Sequence, residues 1–177
     1  MKRGQDPQSQ EDDLVGQRQA AAAWDKRACQ VLVRVNEASN PAVRSACVEA
    51  LRDLGSSRFV PNPLTRGELW RAMTQCQFVA SPPGQGPDCH RTWEALALGA
   101  VPIIKRVPAL SPMFAELPVW EVDDYKEVTE GALAEMSLRI GGRLESGDYD
   151  FSRMTVGWWR DHVRATSARL TASSPAS

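Results

Sequence analysis

The chain has 177 residues and a mass of 19.5 kDa, with 42% hydrophobic and 24% charged residues. These are the proportions of an ordinary globular protein, with length enough for one domain and a substantial core. A net charge of −1 and a pI near 6.1 exclude a bulk electrostatic drive toward nucleic acid or an anionic membrane, although a local basic pocket is compatible with them.

Cys29, Cys47, Cys76 and Cys89 are widely spaced and form no CxxC pair, which argues against a disulfide scaffold or a structural zinc site. His90 and His162 are too far apart in sequence to build a metal motif alone. No stretch approaches the ~20 apolar residues that span a bilayer. The N-terminus lacks the apolar core of a signal peptide. The expectation is a soluble chain with no membrane segment, no metal and no nucleic-acid partner.

Residues 1–19 are polar and aperiodic, as is the segment 171–177, so both are expected to be disordered. The folded domain is expected over 28–170. It opens with a β-branched run, Val31-Leu32-Val33 and Val35. A helix follows, with Asn40 as N-cap, Pro41 in the first position and Gly55 beyond its end. Its apolar stripe is Val43, Ala46, Cys47, Ala50, Leu51 and Leu54. Arg58-Phe59-Val60 is a short strand stopped by prolines. Thr65 and Glu68 make a capping box for the next helix, with Leu69, Ala72, Met73 and Cys76 buried.

Gln77-Phe78-Val79-Ala80 reads as a strand, and the loop "SPPGQGPDC" follows it. A helix then runs from about His90 to Leu98, with Trp93, Leu96 and Ala97 on the core side. Val101–Lys105 is another strand, followed by a proline-rich connection and the strand Val119–Val122. Helices are expected over about 129–144 and over much of 151–170, with Trp158-Trp159 in core packing. Alternating strands and helices predict an α/β domain, Rossmann-like, with a mostly parallel sheet flanked by helices.

In such a sheet, ligands bind where a strand's carboxyl end leads into a helix N-terminus, which is where the quoted loop lies. Ser81 stands at the end of the strand. Gly84 and Gly86 allow close backbone approach and positive φ, while Pro82, Pro83 and Pro87 stiffen the path. The unpaired N–H groups of the helix attract an anion such as a diphosphate. On that helix His90, Arg91 and Glu94 share one sector: Arg91 offers a fork to phosphate, and Glu94 can accept from vicinal ribose hydroxyls. Asp88 is either a ligand contact or the helix cap. His90, beside Cys89, is a polar contact or a cap rather than a metal ligand. The bland alternative is an ordinary surface ion pair between Arg91 and Glu94.

The stretch "FVASPPGQGPDCHRTWEALALGAVPIIK", residues 78–105, resembles the C-terminal signature of exostosin-like glycosyltransferases. It has an apolar strand, a proline–glycine loop, Arg, two spacers and Glu-Ala-Leu, then Gly and an apolar strand near a proline. "NPAVRSACVEAL", "LWRAMTQCQFVASP" and "LPVWEVDDYKEVTEGAL" are compatible flanks.

The resemblance implies one lobe of a GT-B fold that binds a nucleotide sugar, UDP-linked by family habit, without a cofactor or metal. The sugar would pass to a glycan or protein acceptor. It further implies that Arg91 contacts the diphosphate, Glu94 the ribose, Gly84 and Gly86 lie beside the phosphates, and Arg44 is a second phosphate contact. A full enzyme of this kind has two lobes, so the chain is expected to be the donor lobe, with the acceptor lobe and catalytic base elsewhere. A Golgi lumen location follows only for a longer, anchored family member. The alternatives are a non-catalytic nucleotide or nucleotide-sugar binding module, and a scaffold whose loop merely turns the chain.

Overall fold

The computed structural model describes residues 7–60 and 63–173, and the side chain of Cys29 lies outside that description. The first part of the expected leader, residues 1–6, and the last part of the expected tail, residues 174–177, also lie outside it.

Five strands form one sheet: β1 (Ala28–Val33), β2 (Ser57–Phe59), β3 (Cys76–Ala80), β4 (Val101–Lys105) and β5 (Trp120–Val122). Their order is β2-β1-β3-β4-β5, and every neighbouring pair is parallel. The register sets Val31 beside Ser57 on one side and Phe78 on the other, and Phe78 beside Val101. The α/β Rossmann-like expectation is thus met, with every strand parallel.

Central strands of such a sheet are covered on both faces and read as apolar runs rather than alternating patterns. β3 is covered on both faces, since all five of its residues are buried. Gln77 is the polar exception and is satisfied in place: its Nε2 donates to the Trp24 carbonyl at 3.0 Å, and its Oε1 accepts from Ser137 Oγ at 2.7 Å.

The helices lie in two layers. One face carries α2 (Pro41–Arg52) and α6 (Glu130–Glu145), whose Cys47, Leu51, Leu133 and Ile140 pack on Val31, Phe78 and Val101. The other carries α3 (Arg66–Met73) and α4 (His90–Ala97), whose Leu69, Met73, Ala95 and Leu98 region meets Leu32 and Val79. Trp24 and Trp120 stand edge-on to Phe78, with ring centroids 5.8 and 5.7 Å away. The capping box at Thr65 and Glu68 forms as expected.

Several expectations need correction. Residues Pro7–Gln19 form a helix, α1, rather than a disordered leader. Leu14 reaches the α3 side of the core, and Arg66 donates to the Gln10 side chain. These tertiary contacts hold a segment too weakly patterned to signal a helix. The expected disordered tail is helical as far as Ser173, within α7 (Val156–Ser173).

On α2 the core face is Cys47, Val48 and Leu51, while Ala46 is exposed. On α4 it is Thr92, Ala95 and Leu96, with Trp93 only half-buried against Phe114 of the short helix α5 (Ser111–Phe114). Trp158 and Trp159 are half-buried outside both core clusters, packed on each other, with Arg153 over Trp158 and His162 stacked on it at 4.6 Å. The helix that carries them exposes Val156 and Val163 and has no broad apolar stripe to bury. No helix among the described residues is long and apolar enough to cross a membrane.

Candidate functional site

The chain runs from β1 outward to β2, then returns past β1 to β3, β4 and β5, with the connecting helices on opposite faces. That reversal parts the connections after β1 and β3, and a crevice opens at the carboxyl ends of those two strands. A cleft of about 420 Å³ fills this position. Arg34 and Asn36 reach it from the end of β1, Arg44 from α2, Ser81 and Gly84 from the loop after β3, and Asp88, His90 and Arg91 from the start of α4. Six of the sequence candidates therefore converge here: Ser81, Gly84, Asp88, His90, Arg91 and Arg44. Glu94 and Gly86 do not line the cleft.

The loop is held from α2. Arg44 donates from Nε to the Pro83 carbonyl at 2.9 Å, from Nη1 to the Asn36 carbonyl at 2.9 Å and from Nη2 to the Pro82 carbonyl at 3.4 Å. Asn40 Nδ2 donates to the Gly84 carbonyl at 3.0 Å. Three consecutive loop carbonyls are thus satisfied by two side chains at the start of α2. Asn40 stands at the N-cap of α2 as expected, but its side chain makes no cap bond to its own helix.

Gly84 suits this arrangement, because a Cβ there would stand 3.0 Å from Arg44 Nη2 and push against a guanidinium held by three carbonyls. Neither Gly84 nor Gly86 has positive φ; among the described residues that conformation belongs to Gly99 and Gly147. A Cβ at Gly86 would meet nothing closer than 3.9 Å. The expected positive φ is therefore replaced, at Gly84 alone, by a need for space.

Ser81 is 2% exposed and its hydroxyl pairs with that of Thr92 at 2.9 Å, tying the start of the loop to α4. Asp88 accepts from the Trp93 indole at 3.0 Å, so it is committed to that ring rather than to the helix cap. Cys89 occupies the cap position and makes no side-chain cap bond. Thr92 N donates to the Cys89 carbonyl, and the N–H groups that precede it at the start of α4 point out of the helix without a side-chain acceptor. His90 is exposed at that end.

Arg91 and Glu94 stand 3.4 Å apart, with side chains only 14% and 17% exposed. Their geometry makes no hydrogen bond: Arg91 Nε and Nη1 and Glu94 Oε2 are buried without a hydrogen-bond partner. Burial holds the Arg91 guanidinium below its usual range, Glu94 opposes that shift, and Arg34 and Arg44 add to it. A nearly buried cation, incompletely paired and crowded by two others, is stabilised by an anion. The bland reading of an exposed surface pair does not describe these side chains.

Arg34 was not among the sequence candidates. Its signal was its place directly after the β-branched run that ends β1, a position that counts only once β1 is known to border the reversal. Among the described residues no group of three or more His, Cys, Asp or Glu side chains is placed to hold a metal ion. No family model matches the chain, and no curated protein matches it.

Thiol labelling checks the cleft. Burial pushes the Cys47 thiol up to about 12 and raises that of Cys76, so both remain protonated and shielded at pH 8. Cys89 is half-buried and lines the cleft. Iodoacetamide at pH 8 is expected to modify Cys89 well before Cys47 or Cys76, read by peptide mass spectrometry. A saturating cleft ligand should slow the Cys89 reaction severalfold.

Proposed function

We propose that the chain is a donor-binding lobe of an exostosin-like glycosyltransferase, holding the diphosphate of a nucleotide sugar against Arg91 and the start of α4. The reading rests on one observation above the others: Arg91 is nearly buried, incompletely paired and lines the crevice at the reversal between β1 and β3. Arg34 lines the same cleft and adds positive potential for an anion. The uncapped helix start contributes partial positive charge.

In transfer, the acceptor hydroxyl attacks the anomeric carbon and the nucleoside diphosphate departs. Arg91 and the helix N–H groups stabilise the charge that develops on the departing phosphate. Glu94, which does not line the cleft, keeps Arg91 in place. The acceptor, a glycan or a protein, and the base that takes its proton belong to a second lobe of the two-lobed enzyme. Arg44 serves this site by shaping the loop, through its bonds to the Asn36, Pro82 and Pro83 carbonyls, rather than by touching the phosphates.

Calorimetric titration with UDP, GDP and their sugars tests the proposal. The expected result is one nucleoside diphosphate bound per chain, at least tenfold tighter than the matching nucleoside. Equal binding of nucleoside and diphosphate, or none of either at millimolar concentration, overturns it. Diphosphate binding without turnover of any nucleotide sugar, in the presence of its second lobe, favours a non-catalytic binding module instead.

A further inference from the structure

At the opposite end of the sheet, where β1 and β4 begin, lies a second cavity of about 550 Å³. Trp24, Leu96, Val101, Leu144, Phe151 and Met154 give it apolar walls. Among the described residues its only ionisable lining residues are Arg18 and Arg27, and no carboxylate lines it.

Arg27 is 6% exposed. Its Nε donates to the Ala22 carbonyl and its Nη2 to the Leu98 carbonyl, each at 3.0 Å, while its Nη1 is buried without a hydrogen-bond partner. The second guanidinium is close by: a Cβ on Gly99 would stand 3.1 Å from both Arg18 Cζ and Arg27 Nη2. Gly99 has φ of +73°, and its missing side chain leaves room for both groups. Burial, and then the neighbouring Arg18, lower the Arg27 guanidinium to about 10.

A structural role explains part of this. Arg27 clamps the last turn of α4, where a cation is favoured by the helix dipole. That role accounts for Nε and Nη2. It does not account for a second arginine brought beside the first, or for the apolar cavity both border. Two like charges at the edge of apolar surface, with no carboxylate between them, are complementary to an anion that carries an apolar body.

We infer that this cavity binds a small amphiphile, with its anionic head group between Arg18 and Arg27 and its hydrocarbon tail along Trp24, Leu96, Leu144 and Phe151. The site is separate from the nucleotide cleft and does not depend on that reading. A carboxylate and a sulfate or phosphate monoester share the required chemistry, and the choice of probe separates them.

The test is calorimetric titration with straight-chain carboxylates of rising length, each below its micelle concentration, alongside an alkyl sulfate, an alcohol and an alkyltrimethylammonium of matched length. One carboxylate or sulfate should bind per chain, tightening about fourfold for each CH₂ until the cavity is filled. Whichever head binds tighter identifies the ligand's acid. The ammonium and the alcohol should bind at least tenfold more weakly. Arg27 also clamps α4, so the variants are placed elsewhere: Arg18→Ala removes a charge from an exposed side chain, and Ala97→Phe fills the cavity. Each should weaken carboxylate binding at least tenfold and leave UDP titration unchanged. No carboxylate or sulfate binding at millimolar concentration, equal binding of the ammonium, or unaltered affinity in both variants overturns the inference.

Discussion

Arg91→Ala is expected to lower affinity for UDP on the order of 100-fold, about 2.7 kcal/mol, while leaving the chain folded. The side chain lines the cleft, is 14% exposed, and has Nε and Nη1 without hydrogen-bond partners. A diphosphate would complete its coordination with charge-assisted bonds in a site already largely dehydrated. Stability should fall by about 1–2 kcal/mol, because removing Arg91 leaves the Glu94 carboxylate without its cation, and that carboxylate is 17% exposed and so can partly rehydrate. Arg91→Lys keeps the charge but loses the planar fork, so an intermediate loss of about tenfold is expected. Calorimetry for binding and circular dichroism for unfolding measure the two effects separately. Full UDP affinity in Arg91→Ala would falsify the placement of the phosphates at α4. The double variant Arg91→Met with Glu94→Gln should match or exceed the parent in stability while still failing to bind.

Arg44→Ala should do the reverse, with its largest effect on stability. Its guanidinium supplies three hydrogen bonds to the Asn36, Pro82 and Pro83 carbonyls. Losing them is expected to cost about 3 kcal/mol, and to lower the unfolding midpoint by roughly 6–12 °C for a chain of this size. UDP affinity should fall as well, since a loop no longer held by α2 must be ordered by the ligand. Arg44→Lys recovers only part of the stability, because one ammonium cannot reach three separated carbonyls.

Gly84→Val should reproduce the defect from the other side, by driving a side chain into Arg44 Nη2, 3.0 Å from the Cβ position. Gly86→Ala should be nearly silent, with 3.9 Å to its nearest neighbour. Loss of UDP binding in Arg44→Ala with an unchanged unfolding midpoint would instead make Arg44 a direct phosphate ligand.

The two predictions show what kind of information each level carries. Arg44 and Arg91 are both arginines in helices, and both are expected as phosphate contacts, Arg91 from its helix sector and Arg44 from a resemblance. Only the fold separates them, because Arg44 faces the Asn36, Pro82 and Pro83 carbonyls, which need donors, while Arg91 faces an open crevice with donors to spare. Asp88 and Asn40 changed roles for the same reason. Each is a good local cap by residue type, but the Trp93 indole and the Gly84 carbonyl were brought close enough to take their side chains instead.

The amino-acid order alone determined the elements whose signals are local. The Thr65–Glu68 capping box, Pro41 at the start of α2, and the apolar runs of β3 and β4 depend on neighbours three or four residues away, and each formed where expected. Alternation of those elements was enough for a parallel α/β sheet.

Strand order, the reversal between β1 and β3, and the meeting of Arg34, Arg44 and Arg91 are properties of residues far apart in the chain, so only the tertiary structure decided them. The same holds for α1, whose helix depends on docking to α3, and for the half-exposed Trp158 and Trp159. Burial there is set by what packs opposite, and no local pattern carries that information.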